Sequence, residues 1–392
     1  MSARLPSGGR LIDRTKPRRF FFNGKPFKGF AGDTVASALL ANDQMLVGRS
    51  FKYHRPRGIV AAGPEEPNAL LNMGRGARFE PNQRATTTEL FEGLAAESQN
   101  HWPSLEFDVG SVNQAAASLL PAGFYYKTFI HPRPAWKHLF EPFIRQSAGL
   151  GKAPKKADTD RYEHFYWHTD ILIVGGGVAG LQAALTAAET GLRITLVEQT
   201  AHWGGRAPVD GEVIDGQPAD DWVKAALATL AQYPNVTLRP RLMGAGVYDH
   251  GYVLGYERVA DHSPESDAPR HRLWKIRAKQ IITATGAIER PLSFPYNDVP
   301  GVMLASAVRD YAVNFGVAAG QRSIVVTNND DAYLTALALH GAGQTVPLIL
   351  DARPTGGGAL ADRAADLGIR VRKGAAIAAV RGRTRVQAVT VA

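Results

Sequence analysis

The chain has 392 residues, of which 45% are hydrophobic and none is cysteine, and its formal net charge is +9. This length and hydrophobic content exclude a disordered protein and predict two or three domains with packed cores. The lack of cysteine excludes disulfides, thiol nucleophiles, iron–sulfur ligation and cysteine-bound zinc, so any redox chemistry requires an organic cofactor.

The positive charge is concentrated near the N-terminus, where residues 1–58 contain twelve Lys and Arg against three Asp and Glu. An acidic partner subunit, a flavin phosphate or a solvated surface would each account for this charge, and no nucleic-acid motif surrounds it. The chain contains no apolar run of 18 residues and no signal peptide, so we expect a soluble cytoplasmic protein without membrane contact. The densest basic block contains Arg49, Lys52, Arg55 and Arg57.

Residues 1–100 have the pattern of a small α+β domain of the β-grasp type. The pair Asn23-Gly24 lies between two short apolar runs and predicts a hairpin turn. Asp33 is the expected N-cap of a helix that continues to residue 41. Residues 101–169, which include the aromatic run Phe124–Phe129, are expected to form a linker that wraps on other surfaces.

From residue 170 the chain alternates strands and helices, which predicts an α/β fold with a Rossmann-like sheet. The apolar strand Ile171–Val174 leads into three glycines at G-x-G-x-x-G spacing, and an alanine-rich helix follows. The first glycine permits a tight turn, the second lets the backbone approach a pyrophosphate, and the third allows close packing of helix on strand. The phosphates would lie at the positive end of the helix. The residues expected to bind the dinucleotide here are Gly175, Gly177, Val178, Ala179 and Gly180.

An acidic residue, Glu198, follows the next apolar strand, where a carboxylate accepts hydrogen bonds from ribose hydroxyls. Because Gln199 and not an arginine comes next, we expect a free 2′-hydroxyl and therefore NAD or FAD in preference to NADP. Two further turns of small residues are expected to bring backbone amides to the dinucleotide. We assign residues 170–320 to this dinucleotide-binding domain. The turns contain Gly204, Gly205 and Arg206, and Thr285 and Gly286.

Residues 321–392 begin a second strand–turn–helix unit, placed where a second nucleotide site would lie. The turn after Thr327 contains no glycine, and Asp330 and Asp331 would repel a phosphate. We therefore expect a degenerate nucleotide-binding-like unit with a structural role. The chain ends in an apolar run, so we also expect this unit to be truncated.

Several segments carry a resemblance to a known family. They are Gly32–Val35, Gly48–Gly58, the glycine motif with Glu198, Gly246–Tyr252 and Ala284–Arg290. On these segments the chain resembles the α subunits of heterotetrameric sarcosine oxidase, which are related to α subunits of opine and proline dehydrogenase complexes. The resemblance implies a dinucleotide domain of the disulfide-reductase type, preceded by a cysteine-free, ferredoxin-like β-grasp domain.

The resemblance also implies a function within a complex. This chain would hold NAD and assemble with β, γ and δ subunits; the β subunit would hold FAD and oxidise sarcosine to glycine, with a covalent FMN between α and β. Oxygen would be reduced to hydrogen peroxide, and the released carbon would form formaldehyde or, with tetrahydrofolate, 5,10-methylenetetrahydrofolate. Two alternatives stay open: a subunit of an FAD-dependent amine, opine or proline dehydrogenase, and a noncatalytic scaffold stabilised by its dinucleotide.

Two departures from the family pattern affect these expectations. Relatives with a [2Fe–2S] cluster carry cysteines in the β-grasp domain, whereas Ile59–Pro64 follows the basic block here, so a structural role is expected to replace the cluster. The folate-binding domain of the family is missing from the chain, so tetrahydrofolate chemistry is not assigned to it. We assign no catalytic residue and no metal site, since packed or capping histidines are commoner than catalytic ones. The histidines considered are His54, His131, His164, His168 and His250.

Overall fold

The computed structural model describes residues 3–115, 117–120, 123, 131–148, 151 and 153–392. The aromatic run at 124–129 lies outside these residues. Contacts divide the chain into two compact units, the first made of residues 1–158 and 289–392 and the second of residues 159–288. Within the described residues, no helix is both long enough and apolar enough to span a bilayer.

The N-terminal part of the first unit is a five-stranded sheet covered by one helix. Its sheet runs β2-β1-β7-β5-β6, with β1 and β7 parallel, and a separate ribbon pairs β3 with β4. As predicted, Asn23-Gly24 forms the first hairpin, and both residues have positive φ. The elements are β1 (Asp13–Phe22), β2 (Lys25–Ala31), α1 (Val35–Ala41), β3 (Gly48–Arg49), β4 (Pro56–Arg57), β5 (Leu70–Met73), β6 (Glu80–Arg84) and β7 (Ala95–Glu97).

The start of helix α1 differs from the prediction by one residue. Thr34, not Asp33, is the N-cap, and it forms a capping box with Ser37. The buried carboxylate of Asp33 instead accepts hydrogen bonds from the Phe30 amide at 2.8 Å and from the Arg4 guanidinium at 2.6 Å. Asp33 therefore links the preceding turn to the N-terminal segment. Sequence spacing does not reveal Arg4 as its partner.

The segment after the sheet contains short helical pieces and ends before the second unit. A run of helical residues extends from 133 to 148 and includes one π-helical portion, Trp136–Phe140. Two 3-10 turns, Val109–Gln114 and Ala117–Leu119, precede it, and a third, Gly76–Arg78, lies before β6. The α-helical pieces are α2 (Arg133–Ala135) and α3 (Glu141–Ala148).

The second unit is a doubly wound sheet extended by an antiparallel meander. Its order is β12-β9-β8-β15-β14-β13, in which β12, β9, β8 and β15 are parallel and β14 and β13 are antiparallel. The elements are β8 (Tyr162–Val174), α4 (Val178–Ala188), β9 (Ile194–Val197), α5 (Ala207–Asp210), β10 (Val213–Ile214), β11 (Gln217–Pro218), α6 (Ala219–Leu230), β12 (Val236–Arg239), β13 (Leu242–Tyr248), β14 (Tyr252–Arg258) and β15 (His271–Thr283).

Strand β8 lies at the centre of this sheet and has two different halves. Its second half pairs with β9 on one side and β15 on the other, whereas its first half pairs with β15 alone. Successive side chains point to opposite faces. Ile173 packs with Leu181 and Trp222 of the helices, and Leu172 packs in the cluster that contains Trp274. The strand order reverses at β8, which is the position where open α/β sheets bind ligands.

The last part of the chain belongs to the first unit and contains a three-stranded parallel sheet, β16-β17-β18, and a hairpin, β19-β20. By contacts, residues 289–320 also belong to this unit, because Tyr311 and Phe315 pack in the same core as Phe20 and Leu39. The elements are α7 (Ala305–Phe315), β16 (Arg322–Thr327), α8 (Asp331–Gly341), β17 (Thr345–Asp351), α9 (Gly358–Asp366), β18 (Arg370–Lys373), β19 (Ile377–Gly382) and β20 (Val386–Val391).

Candidate functional site

The turn between β8 and α4 has no room for side chains at its first and third glycines. Gly175 has a φ of +109°, and a Cβ there would lie 2.3 Å from the carbonyl oxygen of Ala284. A Cβ on Gly180 would lie 1.9 Å from the carbonyl oxygen of Gly175. Such contacts are far inside van der Waals distance, so the first turn of α4 packs directly on the end of β8. The chain can make this close approach only with glycine.

A second predicted segment is brought against the same turn. Gly177 and Gly204 form an isolated parallel bridge, and the Gly204 amide donates to the carbonyl oxygen of Gly176 at 2.8 Å. A Cβ on Gly205 would lie 3.1 Å from the Cα of Gly177. Two backbone turns from distant parts of the sequence therefore lie side by side, with little side-chain bulk between them.

The N-terminus of α4 opens into this turn. Gly177 is the N-cap, no side chain caps the described helix end, and the first turn contains no acidic residue. The first amides of a helix have no intrahelical partners and carry the positive end of the helix dipole. The amides of Val178, Ala179 and Gly180 therefore lie at the helix end that attracts an anion such as a pyrophosphate.

Glu198 follows β9, and its carboxylate lies beside the glycine turn. One oxygen accepts a hydrogen bond from the Gly176 amide at 2.8 Å, and the other accepts from the Thr200 amide at 2.8 Å and hydroxyl at 2.9 Å. The carboxylate is thus held in one orientation, and the oxygen that accepts from Gly176 keeps acceptor capacity for a hydroxyl. The prediction did not include Thr200, although a Thr two residues after an acid is a recognisable local turn signal.

The other predicted residues lie around this centre in different ways. Thr285 and Gly286 follow Ala284, whose amide donates to the carbonyl oxygen of Val174, and the Thr285 nitrogen would lie 3.2 Å from a Cβ on Gly175. Arg206 forms an ion pair with Asp210 at 3.0 Å, within its own short helix.

Two further side chains near the turn were not predicted. The indole of Trp203 covers Gly176, where a Cβ would lie 2.4 Å from the ring. The guanidinium of Arg258, from β14, donates to the carbonyl oxygen of Gln199 at 3.2 Å. An arginine is therefore present beside Gln199 although none follows it in sequence. Trp203 directly precedes the predicted Gly204 in the sequence. Only the tertiary structure brings Arg258 to Gln199.

The corresponding turn after β16 is filled by side chains of the chain itself. Asp330 accepts from Arg353 at 2.6 Å and from the Gly357 amide at 2.8 Å, and Arg353 also donates to Asp351 at 2.8 Å. The hydrogen bond from Arg353 holds the pKa of Asp330 below its usual range. Burial by itself would raise the pKa of Asp351, but hydrogen bonds from Arg353 and Tyr333 lower it overall. Ionised carboxylates here oppose a phosphate, which supports the expectation of a structural role.

Most of the predicted basic block is engaged inside the first unit. The Arg49 side chain is buried and donates to the carbonyl oxygens of Leu105 and Glu106. Arg55 and Arg57 both form ion pairs with Asp298. These three arginines therefore contribute to the fold of their own unit, and the sequence-based hypothesis of a flavin phosphate or an acidic partner stays a prediction.

The histidines considered as acid–base groups do not converge on the glycine turn. His54 is buried and its Nδ1 lies 2.7 Å from an Asp108 carboxylate oxygen. His164 and His168 lie on exposed positions of β8, and His131 and His250 are also exposed. Among the described residues, no group of three or more His, Asp or Glu side chains is arranged to hold a metal ion.

Comparisons with known proteins match two separate parts of the chain to two families. Residues 15–101 match the family described as a 2Fe-2S iron-sulfur cluster binding domain, and residues 169–392 match the pyridine nucleotide-disulphide oxidoreductase family. The sarcosine oxidase subunit alpha of Rhizobium meliloti (strain 1021) is 51% identical over 358 residues, covering 91% of this chain and 36% of the relative. That of Corynebacterium sp. (strain P-1) is 38% identical over 383 residues, covering 96% and 35%.

One solved structure has a similar fold over most of the chain. The crystal structure of L-proline dehydrogenase from P. horikoshii matches with a TM-score of 0.61 and 19% identity, covering 97% of this chain and 58% of that one. At this identity the likeness concerns the fold alone. The chain spans little more than a third of the length of the two sarcosine oxidase relatives.

The β-grasp domain does not fit the iron–sulfur cluster of its family. Such clusters are held by cysteine thiolates, and the chain contains no cysteine. A buried carboxylate, Glu66, organises the loop after the basic block. It accepts hydrogen bonds at 2.7 to 3.0 Å from four backbone amides, those of Val60, Ala61, Asn68 and Ala69. A side-chain anion of the chain itself therefore satisfies the amides of this loop.

The glycine turn does fit a dinucleotide, because its three motif glycines carry no side chains and no side chain caps the N-terminus of α4. The predicted fold class, a disulfide-reductase-type Rossmann domain after a cysteine-free β-grasp domain, is confirmed by the family matches and the sheet topology. The chain belongs to the pyridine nucleotide-disulphide oxidoreductase family and is a homologue of sarcosine oxidase α subunits.

Proposed function

We propose that this chain is the NAD-binding part of the α subunit of a heterotetrameric sarcosine oxidase. The observation that carries the proposal is that three features lie side by side at the end of β8. They are the glycine turn, the open N-terminus of α4 and the oriented Glu198 carboxylate. The names of the relatives at 51% and 38% identity support the choice of complex. Two alternatives concern the ligand of the glycine turn. The turn would bind FAD in a self-sufficient flavoenzyme, or it would bind a dinucleotide that only stabilises a noncatalytic scaffold.

In this proposal each part of the turn has a separate task. The amides of Val178, Ala179 and Gly180 bind the pyrophosphate, and the missing side chains at Gly175 and Gly177 let it approach the backbone. Glu198 accepts hydrogen bonds from the ribose hydroxyls while Thr200 keeps its carboxylate oriented. NAD, when bound, supplies either a hydride acceptor or a ligand that stabilises the fold.

We assign amine oxidation to another subunit, as the resemblance to sarcosine oxidase α subunits implies. The proposed overall reaction converts sarcosine, oxygen and water to glycine, formaldehyde and hydrogen peroxide. The β subunit would hold FAD, FMN would lie between α and β, and tetrahydrofolate would take the carbon in a domain outside this chain. The proposal includes γ and δ subunits and a cytoplasmic location.

Native mass spectrometry of the purified full-length complex tests this assignment. Visible absorbance is recorded first, the complex is dissociated into single chains, and the nucleotide on each chain is identified by its mass. We expect NAD on this chain and flavins on the others. FAD on this chain would replace the proposal with a flavoenzyme, and a chain without nucleotide would overturn the assignment of the glycine turn.

A second measurement separates a redox role for the nucleotide from a scaffold role. The complex is stripped of nucleotide, and both sarcosine turnover and melting temperature are measured before and after NAD is restored. Bound ligand raises the melting temperature in either case. Turnover that depends on NAD indicates a redox role, and turnover that is unchanged indicates a scaffold.

A further inference from the structure

One side of the meander in the second unit presents a set of large side chains to solvent. The strand register places Tyr166 beside Lys275, Arg277 beside Tyr252, and Tyr252 beside Tyr248. Directly opposite residues, and residues two apart in one strand, point to the same side of a sheet. We call the set on this side the tyrosine face. Its members are Tyr166, Tyr248, Tyr252, Leu273, Lys275 and Arg277.

The two sides of these strands differ in burial around Trp274, although Phe165 and Val247 at the periphery of the inner side are exposed. On the inner side Val253, Trp274 and Ile276 are 1%, 7% and 2% exposed and belong to one core cluster. On the outer side Tyr166 is 70% exposed and Tyr248 is 54% exposed. A sheet with one solvated side normally carries polar residues there. Exposed aromatic and aliphatic groups rimmed by charges mark an interaction surface.

The tyrosine face is also cationic. The Lys275 ammonium lies 4.8 Å from the ring centre of Tyr166, and the Arg277 guanidinium lies 4.9 Å from that of Tyr252. The remaining positions on this side of the same rows contain no carboxylate. They are His164, His168, Met243, Gly246, Leu254 and Tyr256.

Two of the three carboxylates of these strands lie on the inner side, and the third, Asp170, lies on the outer side, where it forms an ion pair with Lys279 at 3.0 Å. Glu257 accepts a hydrogen bond from the Trp274 indole at 2.7 Å, and Glu163 accepts one from the Arg272 guanidinium at 2.9 Å. A cationic surface of this kind is complementary to a surface rich in carboxylates.

We propose that the tyrosine face docks an acidic surface of another protein subunit of the complex. Tyr, Met and Arg are enriched in protein interface cores, and buried Tyr and Arg commonly carry most of the binding energy. The two cations provide selection for carboxylates on the partner. This inference rests on the proposed function, because it requires that the chain be a subunit of a larger assembly.

Carbodiimide cross-linking of the intact complex tests the docking directly, because the reagent joins an ammonium to a carboxylate without a spacer. We expect peptides in which Lys275 is linked to an Asp or Glu of a different subunit. In the same complex, hydroxyl radicals should oxidise Tyr166 and Tyr248 at least about tenfold more slowly than a tyrosine peptide added as reference, since an interface core excludes water.

Charge reversal at the face provides an independent test. We expect K275E together with R277E to raise the dissociation constant of the partner subunit at least about tenfold at low salt, and less at high salt. The matched control is K224E, on α6, where the exposed ammonium pairs only with Asp221 of the same helix in the described contacts. Nucleotide content should be unchanged in both the double variant and the control.

The outcomes separate this inference from the proposed function. A complex that carries NAD but leaves both tyrosines as reactive as the reference overturns the docking alone. Cross-links from Lys275 to this same chain, or to a second copy of this chain, also overturn the docking. Protection of Tyr166 and Tyr248 that disappears when nucleic acid is digested with nuclease overturns it as well. If the chain purifies with NAD but without other subunits, the subunit assignment fails and the inference fails with it.

Discussion

Two regions of this chain share a strand–turn–helix–strand plan, yet their turns differ completely. In the first, β8–α4–β9, the turn consists of glycines, and the acid after the second strand is held by a turn amide and Thr200. In the second, β16–α8–β17, Asp330 occupies the helix start, and Arg353 joins it to the buried Asp351. The same backbone plan therefore carries the proposed ligand site in one region and an internal ion-pair network in the other.

Because the two regions share a topology and differ in their turns, we expect the chemistry of the turn to decide whether a Rossmann-like unit can bind a nucleotide. Bare amides at a helix start attract an anion from solution, whereas amides and charges already satisfied by side chains do not. In the second region the guanidinium of Arg353 also links two carboxylates that would otherwise repel each other. Removing parts of each turn should therefore have different consequences.

The largest effect is expected from G180V in the first region. A Cβ at this position would lie 1.9 Å from the carbonyl oxygen of Gly175, so α4 must move away from the turn. We expect NAD affinity to fall more than about 1000-fold, equivalent to about 4 kcal/mol, as judged by nucleotide content of the purified complex. The matched control is G341V at the end of α8, where no atom lies within 4 Å of a Cβ. Normal NAD retention in G180V would contradict the proposed site.

The next effect is expected from R353A in the second region. Asp351 is fully buried, and removal of its guanidinium partner leaves an unpaired charge beside Asp330. We expect the free energy of unfolding to fall by about 3 kcal/mol in urea titrations, with nucleotide content unchanged. R370A, at an exposed position of β18, should change stability by less than about 0.5 kcal/mol. Loss of nucleotide from R353A with stability intact would mean that the second turn binds it.

The sheet of the second unit, which contains the first region, and the second region should also lose stability in different pH ranges. In the second unit, burial lowers the pKa of His271 to about 4 despite the nearby Asp261 carboxylate, and Arg270 and Arg258 lower it further. The unfolded chain therefore binds a proton at a higher pH than the folded one, and stability falls as the pH drops from about 6.5 towards 4. At pH 5 the loss is on the order of 2 kcal/mol relative to pH 8.

The ion-pair network of the second strand–turn–helix region should respond only to stronger acid. The pKa values of Asp330 and Asp351 are lowered by their partners, so their contribution is complete above about pH 4 and is lost as the pH falls below it. Urea unfolding followed by pulse labelling and mass spectrometry of peptides from each region distinguishes the two ranges. H271Q should flatten the response of β14 and β15 between pH 8 and 5 and leave β16 and β17 unchanged.

The smallest effect is expected from E198Q in the first region. An amide can still accept from the Gly176 backbone, but it loses the charge that strengthens hydrogen bonds to the ribose hydroxyls. We expect a loss of about tenfold in NAD affinity, measured by calorimetry on the stripped complex. The control E189Q, at the exposed end of α4, should bind NAD as the unchanged protein does. Equal affinities for both variants would remove Glu198 from the site.

Sequence patterns by themselves determined the local parts of this fold. The turn at Asn23-Gly24 and the glycine motif after Ile171–Val174 are recognisable because the backbone conformation of a few adjacent residues depends on those residues. The degenerate turn at Asp330 was recognisable for the same reason. The family resemblance and the fold class followed from such local motifs and were confirmed.

Only the tertiary structure decided how distant groups are paired. Sequence spacing placed the N-cap at Asp33, whereas Thr34 caps the helix and the Asp33 carboxylate binds Arg4. It did not reveal that Arg258 reaches Gln199. Equally, Arg55 and Arg57 pair with the distant Asp298, and Arg353 reaches Asp330. Such contacts depend on which strands become neighbours in a sheet and which side chains the core buries, and no local pattern of residues specifies either.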